Sequence, residues 1–348
     1  WKVTDDFTVT GDVYRSTSRR HSGGQDSYVV LRLNQPNTTT ISLNPSGIPN
    51  VTTSLTDGRD WASGLAKGEF GPNDFITHYN ELAGDNIEDR ITGGTVGGDL
   101  FVGAGHVDHL KFGVSLTDRR KSRDLITNTL TGGADYYSGD NAINVGALGG
   151  DLLSVYSLPN FMSGVKSRFP RSFIAFDVPA YEAALAAYKG TRADGSAYDY
   201  SNAAPAWNPL ESYRVSEKTA SFYVQADLSG DRWDGNVGVR VVSTNTTSQA
   251  WDAKITSITE NGAFNYTATY ADPTSISQKG SYTYVLPAAN FVWHFSDDLQ
   301  LRLGAAKTMA RPSVEQLAPT STTQSVSWGE FTQVYGGNVD LKPYSCLL

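Results

Sequence analysis

Residues Ser281–Pro312, SYTYVLPAANFVWHFSDDLQLRLGAAKTMARP, constrain the chain most. Two alternating runs are joined there by a tight polar turn. In the first, Val285, Pro287, Ala289, Phe291, Trp293 and Phe295 share one face, and Ala288, Asn290, Val292 and His294 share the other. In the second, Leu299, Leu301, Leu303 and Ala305 lie opposite Gln300, Arg302, Gly304 and Ala306. A period of two with one greasy face predicts strands, because successive side chains of a pleated strand point to opposite sides. The first run ends in Phe-Trp-His-Phe before Ser296-Asp297-Asp298, which suits a strand leaving hydrocarbon at a membrane–water interface. Each run offers about 9–11 usable residues, the length of a tilted membrane-spanning strand. A soluble sandwich also produces such a hairpin, so recurrence decides.

The pattern recurs. Phe7, Val9, Gly11 and Val13 alternate with Thr8, Thr10, Asp12 and Tyr14, and that strand runs on polar to Arg19 and Arg20. Residues Asn86–Val102 alternate more weakly and are rich in glycine. Leu110, Phe112, Val114 and Leu116 oppose Lys111, Gly113, Ser115 and Thr117. Further on, Phe222, Val224, Ala226 and Leu228 make one greasy face, and Val237, Val239 and Val241 make another. Short connections near 4–6, 103–109, 229–234 and 296–298 alternate strictly with long ones near 21–84, 124–215, 246–280 and 313–344. All short turns therefore fall at one end of the strands and all long loops at the other, as in an outer-membrane barrel. Within the long loops, Tyr28–Leu33 and Thr39–Leu43 read as short strands outside any core. One loop helix is expected over Pro179–Tyr188, entered from Asp177 or Val178 and ended by Gly190, with Tyr181, Leu185 and Tyr188 on one side.

The outward positions of the well-defined strands carry no Lys, Arg, Asp or Glu. One such cation at mid-bilayer would cost about 2–4 kcal/mol. The fold class is therefore all-β, a partial antiparallel transmembrane β-barrel with long extracellular loops. No run of about 20 apolar residues could cross a bilayer as a helix, and barrel strands escape that test. A net charge of −8 argues against nucleic acid, which is bound by cations neutralising phosphates. The single Cys346 excludes an internal disulfide or a cysteine-built metal site. No G-x-S-x-G, H-E-x-x-H or P-loop occurs, so neither an enzyme nor a cofactor is expected. The opening Trp1-Lys2-Val3 reads as the tail of a strand already under way, and an internal piece of a longer protein is expected.

At Ala305-Ala306-Lys307-Thr308-Met309-Ala310-Arg311-Pro312 the chain resembles TonB-dependent outer-membrane receptors, especially the branch found in bacteria such as Caulobacter and Xanthomonas. Leu317-Ala318-Pro319 and Gly337–Tyr344 fit in order, as do Glu217-Lys218-Thr219, Asn236–Arg240, Gly113-Val114-Ser115 and Asp118-Arg119-Arg120. The resemblance covers essentially the whole chain and is specific in the C-terminal third. It implies a 22-stranded barrel whose lumen is plugged, of which this chain supplies about seven to eight strands without the plug or the closing strands. It also implies a Gram-negative outer-membrane location, contact with outer-membrane lipid and with the protein's own plug, and energising by the TonB complex. A scarce or large ligand would be taken up, with carbohydrate favoured over an iron–siderophore. A passive porin-like channel and a soluble secreted glycan-binding β protein are the other readings.

The ligand is expected to meet the loop aromatics Trp61, Tyr136, Tyr137, Tyr198, Tyr200, Trp207, Trp251, Trp328 and Tyr335. Flat rings stack on sugars or aromatic chelators while nearby amides and carboxylates fix orientation, although each ring also suits plain loop packing. Tyr223, Gln225, Asp227, Arg240, Asn290, His294 and Arg302 are expected to face the lumen, touching plug or ligand. His106 and His109 flank Asp108 as a possible metal pair or a solvated turn. Arg119, Arg120, Lys121 and Arg123 form either an anion site or a strand top in water. Gly93–Gly98 lacks the lysine and helix of a phosphate loop and reads as room on a barrel wall.

Overall fold

A computed structural model describes residues 1–348 apart from 25, 46, 129–141, 192–194, 199–203, 263–264 and 326–331. In chain order the strands are β1 (Phe7–His21), β2 (Asp26–Leu33), β3 (Asn37–Ser42), β4 (Asn50–Leu55), β5 (Phe75–Ala104), β6 (Val107–Thr127), β7 (Leu153–Ser157), β8 (Ser172–Phe176) and β9 (Ala206–Gly230). They continue as β10 (Trp233–Asp252), β11 (Ile255–Gly262), β12 (Asn265–Tyr270), β13 (Thr274–Ser296), β14 (Leu299–Ala310), β15 (Ser321–Ser325), β16 (Thr332–Gly336) and β17 (Tyr344–Leu347). Two helices, α1 (Trp61–Lys67) and α2 (Val178–Ala187), lie among them. The chain divides into two units, one of residues 1–22, 85–125 and 207–348, the other of 23–84 and 126–206.

The first unit is built on an antiparallel meander in the order β1-β5-β6-β9-β10-β13-β14-β17. Seven of these are long, and β17 is a stub pairing Tyr344–Leu347 with Ala310–Lys307. The barrel does not close, as expected of a partial wall. Tight turns after β5, β9 and β13 alternate with the long connections. At the first of these turns Gly103 and Gly105 have φ near +60°, where a side chain would strain the backbone.

Register confirms the two faces. Phe222 pairs with Val241, Val241 with Val285, and Phe291 with Leu303. With Val13, Val96, Val114, Leu116 and Leu301 they form an apolar face whose large side chains remain exposed. Trp233, Phe291, Trp293 and Phe295 end that face beside the short turns, Trp233 stacked on Phe291 at 5.9 Å. Sheet stability comes from paired backbone along strands of 12–30 residues, not from burial of this face. At the other end of the strands a small core forms on the polar face. Val314, Leu317 and Ala318, from the turn after β14, pack on Tyr213, Val215, Ala250 and Ile276.

The second unit is made from the first two long connections and has a core of its own. Leu55, Leu65, Phe70 and Phe75 from one meet Ile143, Val145, Leu152, Tyr181, Leu185 and Tyr198 from the other. Val29, Leu31 and Leu33 pack against this cluster, which corrects the expectation that the Tyr28–Leu33 strand lies outside any core. That strand pairs with residues 75–83 of β5.

The expected loop helix is α2. Asp177 caps it by accepting the Ala180 N–H at 3.0 Å, and Pro179 sits in its first turn. Its last helical residue is Ala187, one short of the expected Tyr188, which turns extended and caps the helix before Gly190 is reached. The helix α1 was not expected. Its Asp60 cap and left-handed Gly68 are ordinary end signals, but seven residues are too few for a periodicity to register.

Candidate functional site

The polar face carries a connected set of groups nearest the short turns. Alternation puts Asp99, His109, Lys111 and Asp227 there. Lys111 Nζ lies 2.7 Å from Asp227 and 3.9 Å from Asp99, while His109 Nδ1 stands 2.7 Å from Asp99. Gln225 donates to the other Asp227 oxygen at 2.7 Å. Farther along, the Arg240 guanidinium lies over the Tyr223 ring at 5.2 Å. Asn290 donates to Asn236 at 3.0 Å, and His294 stands 3.3 Å from Asp234. Arg302 stands across from Val292 on the same face, exposed. All seven residues expected to face the lumen thus share one side of the sheet. Lys111 and Asp99, not named among the lumen-facing residues above, join them, and strand parity alone assigns both to the polar side.

Glycines on this wall make room for rings. A Cβ on Gly93 would come 2.5 Å from Tyr14, and one on Gly113 would come 2.7 Å from Tyr223. On the apolar face the same device operates at Gly98, where Phe7 and Phe112 close over the gap with centroids 6.3 Å apart. Aromatic side chains lying over glycines restore packing that the missing Cβ forfeits.

The basic run divides by parity. Arg119 makes two bonds to Asp89, at 3.1 and 2.6 Å, and Arg123 reaches Asp85 at 2.6 Å. Lys121 pairs with Glu315. Arg120 lies on the opposite side and holds Asp118 at 3.0 Å. Every member has a carboxylate, so the run as a whole is no vacant anion site. His106 and His109 take separate partners. His106 Nδ1 stands 3.0 Å from the Ser229 carbonyl, with its ring against Trp233.

The loop aromatics fare differently from one another. Trp61 opens α1 and packs on Phe70 and Phe75, with centroids 5.0 and 6.2 Å away. Tyr198 is buried beside Tyr188 in the second unit's core. Trp207 and Trp251 are brought together edge to face at 5.0 Å, near the long-loop ends of β9 and β10. Trp207 remains 47% exposed. Tyr335 stands opposite Thr322 in the β15–β16 hairpin. Tyr136, Tyr137, Tyr200 and Trp328 lie outside the described residues.

Charge within the second unit gathers on Arg59. It binds Asp57 at 2.6 Å and Asp74 at 2.5 Å, donates to the Glu69 carbonyl, and covers the Phe70 ring at 4.6 Å. The Arg59 hydrogen bond, helped by Gln35, holds the Asp57 carboxyl well below the usual carboxylate range. For Asp74 burial acts the other way, and hydrogen bonds from Arg59 and the Gly71 N–H outweigh it to lower the value.

Comparison with known proteins adds a family. Residues 3–345 match the model described as TonB dependent receptor-like, beta-barrel. Among solved structures the chain is similar to the ferric-catecholate import receptor Fiu of E. coli K12. For the closed form the identity is 11% and the TM-score 0.41, over 88% of this chain and 31% of that one. For the open form the values are 12% and 0.40, over 89% and 34%. The chain thus spans about a third of the length of these structures. No curated protein matches it.

Proposed function

The chain belongs to the TonB-dependent receptor β-barrel family, and on that premise we propose that it forms part of the wall of an outer-membrane transporter. Proteins of this family are transporters, not enzymes. The observation that carries the reading is the face of exposed Val, Leu, Phe and Trp running unbroken across the long strands. A contiguous exposed apolar face of this kind is foreign to a water-soluble surface, and hydrocarbon is the solvent that suits it. The opposite face, with Tyr223, Gln225, Asp227, Arg240, Asn290, His294 and Arg302, then lines the lumen. There it meets a plug supplied by another part of the same protein. TonB, acting on that plug, energises uptake.

The ligand we favour is a carbohydrate. The Trp207–Trp251 pair supports this: two indoles at right angles offer a flat face and an edge beside a polar strand end, where a sugar ring stacks. The test uses the full-length receptor in detergent, titrated separately with a mixed oligosaccharide set and with a ferric catecholate. Oligosaccharide binding that shifts tryptophan fluorescence, and is lost in Trp207→Ala, is the expected result. Binding of the ferric catecholate alone would overturn the carbohydrate assignment. Uptake by intact cells should stop when the proton-motive force is collapsed, and uptake that persists would point to a passive channel.

A further inference from the structure

In the second unit, β3 has a strand partner on one side only. It pairs with β4 without a bulge, from Asn37 opposite Leu55 to Ser42 opposite Asn50. The direction of its main-chain groups follows from what β4 does on its far side. The Val51 N–H turns away from β3 to the Arg168 carbonyl at 2.6 Å, and the Leu55 N–H turns away to the Arg59 carbonyl at 2.9 Å. In an antiparallel ladder, a residue whose N–H points away stands opposite one that does the same. Asn37, Thr39 and Ile41, opposite Leu55, Thr53 and Val51, therefore aim N–H and C=O at the open edge. The Thr39 and Thr53 hydroxyls, 2.9 Å apart, fit this alternation, since side chains come closest in such pairs. Among the described residues, no hydrogen-bond partner meets these outward groups.

Edges of this kind are normally guarded by a charge, a proline or a bulge. Residues 37–43, NTTTISL, contain none of these. All six residues of β3 are exposed, and at its end Ile41 is 67% and Leu43 94% exposed. By contrast β11–β12, another two-stranded sheet, carries Glu260 and is broken twice in register.

We infer that β3 is a docking edge for β3 of a second copy of this chain, joined antiparallel about a two-fold axis centred on Ile41. This goes beyond the transport reading. The strand is suited to itself: bearing no charge, it meets its copy without repulsion, and its outward groups on alternate residues match across the two-fold. A charged partner would find no complement on it. Centring on Ile41 sets Ile41 beside Ile41 and Leu43 beside Thr39, covering the two greasy side chains at this end of the hairpin. One short strand per copy buries far less than the roughly 1,200 Å² of a stable interface. The pairing is therefore weak in dilute solution and forms where copies are crowded in one orientation, as in a shared membrane.

The test uses the full-length receptor in outer-membrane fragments, carrying Cys346→Ser and Ile41→Cys. Opposed residues of a hydrogen-bonded pair have Cα atoms about 5.5 Å apart, within reach of a disulfide. Mild oxidation should give a dimer that reduction dissolves. Thr39→Pro removes one outward N–H from each copy and none that the hairpin uses, so the dimer yield should fall about tenfold. Thr40→Lys leaves the backbone able to pair but sets two cations about 7–8 Å apart diagonally across the two-fold. It should lower the yield more at low salt than at high salt, a dependence that a misfolded hairpin would not show. Absence of the dimer, or an undiminished yield in both variants, would overturn the pairing. A cross-link to a different polypeptide would overturn it too and assign the edge to a foreign strand. Recovery of the receptor in the aqueous fraction would defeat the membrane reading alone, because the dimer is scored in either fraction.

Discussion

Leu65→Ala tests whether the first two long connections form one cooperative body. Leu65 is 1% exposed, in α1, within a cluster holding Ile143 and Val145 from the second connection. Removing three carbons from a site already shielded from water forfeits about 2 kcal/mol of transfer free energy. The hole left among Phe70, Phe75 and Val145 adds a cavity penalty, for a total of about 3–4 kcal/mol. A local opening equilibrium weakened by that amount populates the open form a few hundredfold more, since each 1.4 kcal/mol is tenfold. The assay is limited trypsin digestion of the full-length receptor in outer-membrane fragments, with cut sites mapped by mass spectrometry. Cleavage should accelerate together at Lys67 in one connection and at Lys166 and Lys189 in the other. Arg240 and Arg302, on the strands of the sheet, should stay protected. If only Lys67 becomes labile while the sites beyond residue 126 keep their wild-type rates, the two connections do not share a core and the reasoning fails.

Two further outcomes follow from the faces and the charges. Leu301→Arg puts a cation on the apolar face opposite Trp293 and should cost about 2–4 kcal/mol of membrane stability, whereas Gln300→Arg on the polar face should cost little; equal loss of the heat-modifiable folded band in both would contradict the assignment of faces. In the second unit, Asp57 and Asp74 titrate lower when folded than unfolded, so their contribution is complete above about pH 4 and is lost as pH falls through the folded values. Protease resistance of residues 23–84 should therefore drop below pH 4, and Arg59→Met, less stable at neutral pH, should lose much of that acid dependence. The same acid sensitivity in the variant would place its origin elsewhere.

The meander was legible because a strand in a bilayer is governed by a rule acting on every second residue. Val285 to Phe295 and Leu299 to Ala305 obey it without exception, and the register follows from their turns. Nothing comparable marks a loop core. Ile143 and Val145 sit in a stretch of glycine, asparagine and alanine, and no local period links them to Leu55 or Leu65. Such contacts arise from closure between distant segments, which a one-dimensional pattern does not encode. The site divides along the same line. Parity was enough to place Tyr223, Arg240 and Asn290 on the polar face, and would have been enough for Lys111. It could not separate Trp207, exposed beside Trp251, from Tyr198, buried beside Tyr188, because both are aromatic residues in polar surroundings.

This contrast has a physical cause. In the sheet, long ladders satisfy the backbone, so side chains on the apolar face need no partners within the protein and can be chosen for their solvent alone. A loop lacks those ladders and has to bury side chains to offset the entropy of its ordering. Two connections, each too short in apolar residues to do so alone, reach a sufficient core by pooling them: Leu55, Leu65, Phe70 and Phe75 from one, Val145, Leu152, Tyr181 and Leu185 from the other. Tyr198, 4% exposed within that core, has little surface left to offer a ligand. A ring that captures ligand must instead be held by something other than burial, and Trp207, fixed on a strand and braced by Trp251, is held in that way.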